Sequence, residues 1–562
     1  MGPLADRQLD VVVVGAGFSG MYLLHRLRQL GFSTQVYEAG SDVGGTWYWN
    51  RYPGARCDIE SMDYSYSFDP ELVQEWEWTE RYSTQPEILA YANHVADRLD
   101  LRAEIQFDTR VTSAVFDEAT ARWSVSTDQG ETVSAQFVVM AVGCLSTTKQ
   151  PEVPGVDTFA GPTYHTGRWP HEGVDFTGQR VGVIGTGSSG IQSIPLIAEQ
   201  AAHLTVFQRT PNFSMPAKNA PLDAAFVRQR KATYRQHREE AKHSPVGVLL
   251  DIPEELAVEA DPAEREARFH EGWEAGFLFG VSRTYGDLLL DPAANELASE
   301  FVRGRIRDIV DDPAVAEALS PRNHPFGTKR PCLDTGYYAT FNRENVTLID
   351  LHASPIVEIT PAGVQTSDRE VELDVLVFAT GFDAMTGPIL GVDIVGRDGQ
   401  PLREKWSAGP RTYLGLATAG FPNLFTVTGP GSPSVLSNMM VSIEQHVDWI
   451  TDCLVALREQ GASTIEATVA AEDGWVEHVN EVASMTLMPQ ANSWYMGANV
   501  PGKPRVFMPY VGGVGLYREL CATVAEKNYD GFETLASLAR GLAHSACRPA
   551  AGATGPSGLR AT

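Results

Sequence analysis

The stretch Val11-Val-Val-Val14-Gly15-Ala-Gly17-Phe-Ser19-Gly20, followed by the amphipathic run Met21 to Leu30, decides the fold. Four β-branched residues in a row suit a strand buried on both faces of a parallel sheet, and the glycines punctuate a turn into a helix. In such a unit Gly15 permits the tight turn, Gly17 lets the backbone approach a pyrophosphate and Gly20 lets helix pack on strand. The helix start offers unpaired N–H groups and the positive end of a dipole, with Ser19 where those donors converge. The next apolar strand, around Gln35 to Tyr37, ends in Glu38. That is about 20 residues past the first glycine, where an acid meets a ribose hydroxyl.

The unit recurs. Val181-Gly-Val-Ile184 runs into Gly185-Thr186-Gly187-Ser188-Ser189-Gly190 and a helix that begins Ile191-Gln192. In place of Glu38, the end of Leu204-Thr-Val-Phe-Gln208 supplies Arg209-Thr210, and a cation there suits a ribose 2′-phosphate. The strands Phe137-Val-Val-Met-Ala-Val-Gly143 and Val375-Leu-Val-Phe378, the latter leading into Ala379-Thr-Gly-Phe-Asp383, end alike, as two related sheets would. The expectation is an α/β protein with two Rossmann-like dinucleotide-binding domains, the first for an FAD-like ligand and the second for NADPH. Phe159-Ala-Gly161-Pro-Thr-Tyr-His165-Thr-Gly-Arg-Trp169-Pro170 lies between the two loops and reads as a hinge-like connection.

After the first unit, Gly44-Gly-Thr46-Trp47-Tyr48-Trp49-Asn-Arg-Tyr52-Pro-Gly-Ala-Arg56-Cys57-Asp58 has neither helical nor strand periodicity. Its rings and small residues suit either a planar cofactor, with Arg56 and Asp58 as polar handles, or a hydrophobic plug under a lid. A helix is expected over Gln85 to Leu99 and alternating strands over Gln106 to Thr127, including Val111. Ala217 to Ser320 reads as a helix-rich insertion with solvated charged faces. In Pro325-Phe-Gly-Thr-Lys329-Arg330-Pro331 two adjacent cations stand between prolines. Taken alone, such a pair is usually surface decoration. Beside two anionic dinucleotides, an arginine that stays charged at every working pH could instead stabilise a developing oxyanion. Trp494, in a second aromatic loop from Ala491 to Lys503, is equally a candidate core anchor.

Composition narrows the rest. A 562-residue chain with 43% hydrophobic residues suits two or three domains, and a net charge of −27 repels nucleic acid. The six cysteines are scattered without metal-ligand or redox-pair spacing, and no secretory signal is visible near the N-terminus. A cytoplasmic monomer with unpaired thiols and no metal is therefore expected. The uncharged run Thr412 to Ile443 is long enough to span a bilayer, but its glycines and prolines fit a strand, a loop and a helix start better. The absence of a close cysteine pair argues against a disulfide reductase, and no Gly-x-Ser-x-Gly elbow marks a hydrolase.

With both loops and the connecting segment in view, the chain resembles the type I Baeyer–Villiger monooxygenases: Phe159, Gly161, His165, Trp169 and Pro170 match that family's fingerprint. Trp169 separates it from the flavin monooxygenases that oxidise nitrogen and sulfur. The stretches Arg51 to Glu60, Gly429 to Asn438 and Ser493 to Arg505 are similar to those of phenylacetone and steroid monooxygenases. The resemblance implies insertion of one oxygen atom from O₂ beside a ketone carbonyl, through a C4a-peroxyflavin, giving an ester or lactone. The ketone would be a bulky aryl, cyclic or steroid-like one. It implies Arg330 as catalytic with Asp58 as its carboxylate partner. Gly15, Gly17, Ser19, Gly20, Glu38, Thr46, Trp47, Tyr48, Trp49, Arg56, Cys57, Asp58, Tyr64, Val111 and Met439 would touch FAD. Thr186, Gly187, Ser188, Ser189, Gly190, Ile191, Gln192, Arg209, Thr210, Lys329, Arg330 and Trp494 would touch NADP. His165 and Trp169 are expected to couple domain motion. The expected division is an FAD domain over 1–145 and 380–535, and an NADP domain over 146–215 and 325–379. The helical insertion takes 216–324, and a disordered tail 536–562.

Overall fold

A computed structural model describes residues 8–149 and 151–536. The valine run is the heart of the first sheet. Here β1 (Gln8–Val14) leads through the glycine turn into α1 (Phe18–Gln29) and back to β2 (Thr34–Tyr37), parallel to β1 with Val11 opposite Thr34. The short β3 (Ile105–Gln106) extends that edge. On the other side β4 (Val111–Asp117), β5 (Arg122–Thr127) and β6 (Thr132–Met140) form an antiparallel meander whose last strand lies parallel to β1. Val11, Val12 and Val13 are fully buried, because helices cover one face and the meander the other.

The second sheet is parallel throughout. It is built from β7 (Thr163–His165), β8 (Arg180–Ile184), β9 (His203–Gln208), β10 (Val346–Asp350) and β11 (Val375–Phe378), in the order β10-β9-β8-β11-β7, with α2 (Ser188–Gln200) crossing from β8 to β9. The edge strand β7 is a departure from the sequence reading. Thr163–His165, expected as part of a hinge-like connection, is hydrogen-bonded along β11 as an edge strand. Three residues are too few to show a period of two, so no alternation betrays the strand.

The chain returns to the first sheet at Asp393–Val395, parallel to β4, then with β12 (Leu424–Thr426), parallel to the C-terminal half of β6, and α3 (Met439–Gln460), which packs on α1. The uncharged run is thus a strand, a loop and a helix start, and no helix among the described residues is long and apolar enough to cross a membrane. The expected tail lies outside the described residues beyond Ala536, where Phe532–Ala536 pairs with Ala462–Ala467.

The insertion is helical: Ala224–Lys242, Pro262–Glu274, Pro292–Ile309 and Pro313–Leu319. Each starts on an aspartate, Asp223, Asp261, Asp291 or Asp312, whose carboxylate accepts the amides two and three residues ahead. The two chain crossings between the sheets run side by side. Thr148 bridges Phe382, Asp383 N donates to the Thr147 carbonyl at 2.9 Å, and Lys149 N donates to the Gly381 carbonyl at 3.0 Å.

Candidate active site

Both glycine loops open onto one cleft of about 1750 Å³. At the first, α1 starts on Gly17 with no side-chain cap, so its leading amides are free to meet an anion. Gly15, Gly17 and Ser19 line the cleft, whereas Gly20 faces away from it: a Cβ there would stand 1.9 Å from the Gly15 carbonyl oxygen. Close approach of helix to turn therefore demands glycine. Glu38 is 5% exposed, and its two carboxylate oxygens accept the amides of Ala16 and Gly40, each at 2.7 Å. Burial raises its pKa, and those two amides work against the rise.

The aromatic segment forms a single helical turn, Thr46–Trp49, a feature too short for the sequence to display. Thr46, Trp47 and Trp49 line the cleft, and the Trp47 indole N–H donates to the Tyr64 hydroxyl at 3.1 Å. Tyr48 does not reach the cleft; its hydroxyl pairs with Ser41 at 2.8 Å. Tyr64, Cys57, Val111 and Met439 all face it. Arg56 and Asp58 border it too, the Arg56 guanidinium donating to Glu80 at 2.8 Å and to the Tyr82 carbonyl.

At the second loop α2 starts on Gly187, again uncapped, and a Cβ built on Gly187 would meet nothing within 4 Å: the backbone faces open cleft. Thr186, Gly187, Ser188 and Ser189 line it. Gly190, Ile191 and Gln192 do not; Gln192 instead accepts from the Tyr52 hydroxyl at 2.8 Å and donates to the Arg56 carbonyl at 3.0 Å. Arg209 and Thr210, just past the end of β9, and Lys329, from the loop after the helical insertion, converge on the cleft. Burial, with Arg209 nearby, pushes the Lys329 ammonium down to about 8. Two uncapped helix starts, a recessed acid on one and paired cations beside the other fit two dinucleotides.

Between the loops stands Arg330. Its Nε donates to Asp58 Oδ2 at 2.6 Å, Nη2 to Asp58 Oδ1 at 2.9 Å and Nη1 to the Val435 carbonyl at 2.7 Å. Burial alone would lower its pKa, but the Asp58 carboxylate reverses this and holds it above the usual arginine value. Tyr495 lies close to the guanidinium, and Trp494 packs at a tilt against the Tyr495 ring, centroids 4.3 Å apart. Val435 carries no signal in sequence, since it contributes a backbone carbonyl.

The fingerprint residues sit behind this site. His165 Nδ1 accepts the Gly167 amide at 3.0 Å, so its proton resides on Nε2, which faces the Lys149 carbonyl and Thr380 Oγ1, each at 3.2 Å. One imidazole thereby ties the second sheet to both crossings. Trp169 is 4% exposed and packs near Tyr164 and Phe176, at the cleft's rim.

Comparison with known proteins agrees with this geometry. The family described as pyridine nucleotide-disulphide oxidoreductase matches residues 9–232. A Baeyer–Villiger monooxygenase of Pseudooceanicola batsensis is 46% identical over 92% of this chain and 95% of its own. A phenazine N-monooxygenase of Lysobacter antibioticus is 42% identical over 93% and 96%. Among solved structures, an oxidised steroid monooxygenase bound to NADP superposes with a TM-score of 0.90 at 54% identity, covering 94% of this chain and 100% of that one. The OTEMO complex with FAD and NADP gives 0.90 at 41% identity, covering 94% and 99%. Among the described residues, Cys57, Cys144, Cys332, Cys453 and Cys521 are free and buried, with no disulphide between them.

Proposed function

The chain belongs to the Baeyer–Villiger monooxygenases, NADPH-dependent flavoproteins that oxygenate ketones, and we propose that its own substrate is a bulky aryl, cyclic or steroid-like ketone. The observation that carries the reading is the Arg330–Asp58 pair set between two dinucleotide cradles. The 54% identity to a steroid monooxygenase supports the substrate class.

Bound FAD and NADPH supply the reducing equivalents and the centre at which O₂ is activated. The protein's part is to bind, orient and keep dry. The amides at the starts of α1 and α2 take the two pyrophosphates, and Glu38 keeps lone pairs for a ribose hydroxyl. Arg209 and Lys329 meet the 2′-phosphate. Trp47, Trp49, Tyr64 and Val111 wall the flavin side, with Met439 at its rim, and Trp494 closes over the nicotinamide side, so water is excluded. Arg330 stabilises the negative charge that develops on oxygen during attack on the carbonyl, and it cannot lose its own proton in doing so. Asp58 fixes the guanidinium plane through two parallel bonds. His165 couples the second sheet to the crossings, and Trp169 braces that coupling from the sheet's core.

The two sheets support a division into an FAD domain over 1–145 and 380–535 and an NADP domain over 146–215 and 325–379, with the insertion 216–324. Action as a monomer in the cytoplasm belongs to the same reading, and the free buried thiols among the described residues suit that compartment.

Product analysis tests the reading. The holoenzyme with NADPH, isotopically labelled O₂ and a panel of linear, cyclic and steroidal ketones should give esters or lactones carrying one labelled oxygen. The panel includes a sulfide and an aromatic amine, because the phenazine N-monooxygenase is a near relative. Products confined to sulfoxide or N-oxide would overturn ketone oxygenation.

A further inference from the structure

Two β-branched residues in the loop beneath Arg330 adopt a backbone conformation that side chains of their kind avoid: Thr428 at φ +57° and Val435 at φ +62°. A branched Cβ crowds the backbone in the left-handed region, so such residues persist only where their surroundings hold them. The holding groups are all present. Val435 N–H donates to Met439 Sδ at 3.2 Å, while its carbonyl accepts Arg330 Nη1 at 2.7 Å. The Thr428 carbonyl accepts Cys144 Sγ and Ser434 Oγ, both at 3.2 Å, and its hydroxyl donates to the Val427 carbonyl at 2.6 Å. Its amide donates to Nδ1 of His446, at 2.9 Å, from the second turn of α3.

We propose that His446 is a positioning residue: by accepting the Thr428 amide, its Nδ1 locks the strained 428–435 loop in the shape that presents the Val435 carbonyl to Arg330. The imidazole is fully buried, packs edge-on against Tyr517 at 5.5 Å and does not line the cleft. Its ring must be neutral, with the proton on Nε2, since a charged ring would turn a second N–H toward the Thr428 N–H. Burial, with Arg518 next in effect, pushes the imidazole down to about 3, in keeping with that requirement. The loop is closed on itself by Ser434 Oγ and Ser432 Oγ, 3.1 Å apart, so a slip at Thr428 is passed to Val435.

The inference deepens the role given to Arg330 and rests on it, so the test has two arms. His446→Leu fills the space without an acceptor, and His446→Asn puts an amide oxygen near the Nδ1 position. In the FAD-loaded enzyme, deuterium uptake over residues 425–436 should be about tenfold faster in His446→Leu, from an unpaired buried amide, and near the parent rate in His446→Asn. The ester formed per NADPH consumed should fall about fivefold or more in His446→Leu, replaced by hydrogen peroxide, and return in His446→Asn. Equal exchange in the two variants, or faster exchange with unchanged ester yield, would overturn the proposal. Should Arg330→Ala itself retain ester formation, the role of Arg330 fails, whereas the exchange arm still decides whether His446 holds the loop.

Discussion

Arg330 and Asp58, 272 positions apart in sequence, are joined by two parallel hydrogen bonds of 2.6 and 2.9 Å, the fork of a guanidinium on the fork of a carboxylate. Asp58 follows the aromatic segment of the first half, whereas Arg330 follows the helical insertion of the second. The pair therefore measures how far apart the two dinucleotide cradles stand.

Removing the guanidinium should separate the two half-reactions. Arg330→Ala is expected to keep NADPH-driven flavin reduction within about threefold while ester formation falls by about 10²-fold or more, the scale of losing one preorganised charge at a developing oxyanion. Stopped-flow absorbance at the flavin band and product chromatography check the two arms. Arg330→Lys should recover little, because an ammonium cannot satisfy both Asp58 oxygens and the Val435 carbonyl in one plane.

Lys329 carries a pH dependence whose sign is fixed. Its pKa is lowered to about 8, so in the free enzyme it is charged below that pH and neutral above it. A 2′-phosphate attracts only the charged form, so affinity for NADPH should be greatest below pH 8 and decline as pH rises through it. Binding of the phosphate raises the pKa, so the dependence appears in Kd and kcat/KM more than in kcat. Titrating NADP⁺ against the holoenzyme between pH 6.5 and 9.5 checks this, and Lys329→Arg should flatten the profile, since arginine stays charged throughout.

Glu38 is expected to be intolerant of even an isosteric change. Both carboxylate oxygens accept backbone amides, from Ala16 and Gly40. Glu38→Gln turns an NH₂ toward one of those N–H groups, so the glycine turn loses its brace and the adenosine ribose its acceptor. Hydrogen bonds to a charged group contribute roughly 1.5–3 kcal/mol each, so FAD should bind at least about tenfold more weakly. Flavin fluorescence released on dilution measures it.

How much of this was legible in the chain depends on whether the signal was local. The two glycine turns, the valine strand and the acid-versus-arginine contrast at Glu38 and Arg209 are local, and the sheets form around them. The Asp-Pro pairs at 261–262, 291–292 and 312–313, each an N-cap followed by a residue preset for the first helical turn, are equally local but went unread in the sequence. What stayed hidden depends on contacts between distant segments. The Arg56–Glu80 ion pair and the pairing of Thr163–His165 with β11 each join segments that no local pattern connects. Thr428 and Val435 are poor choices for left-handed backbone by every local rule, so only the loop's surroundings explain them.

The last expectation concerns the loop that carries Trp494. Lys503 Nζ reaches Asp383 Oδ1 at 2.6 Å and the Ala384 carbonyl at 2.8 Å, and Asn499 Nδ2 donates to the Phe382 carbonyl at 2.7 Å. These bonds latch the 491–505 loop onto the crossing at 380–384, the same crossing that His165 grips through Thr380. The lysine side chain is 10% exposed and its partner 33%, so the pair is only partly screened by water. Lys503→Met keeps the apolar stem and removes the bond, and it should let the loop open more often without disturbing either glycine cradle. NADP⁺ should then dissociate about three- to tenfold faster, the scale of one charge-assisted hydrogen bond, with FAD retention unchanged. Displacement of NADP⁺ followed by stopped-flow fluorescence measures the rate, and an unaltered off-rate would mean that the Asn499 bond and the packing on Tyr495 hold Trp494 without Lys503.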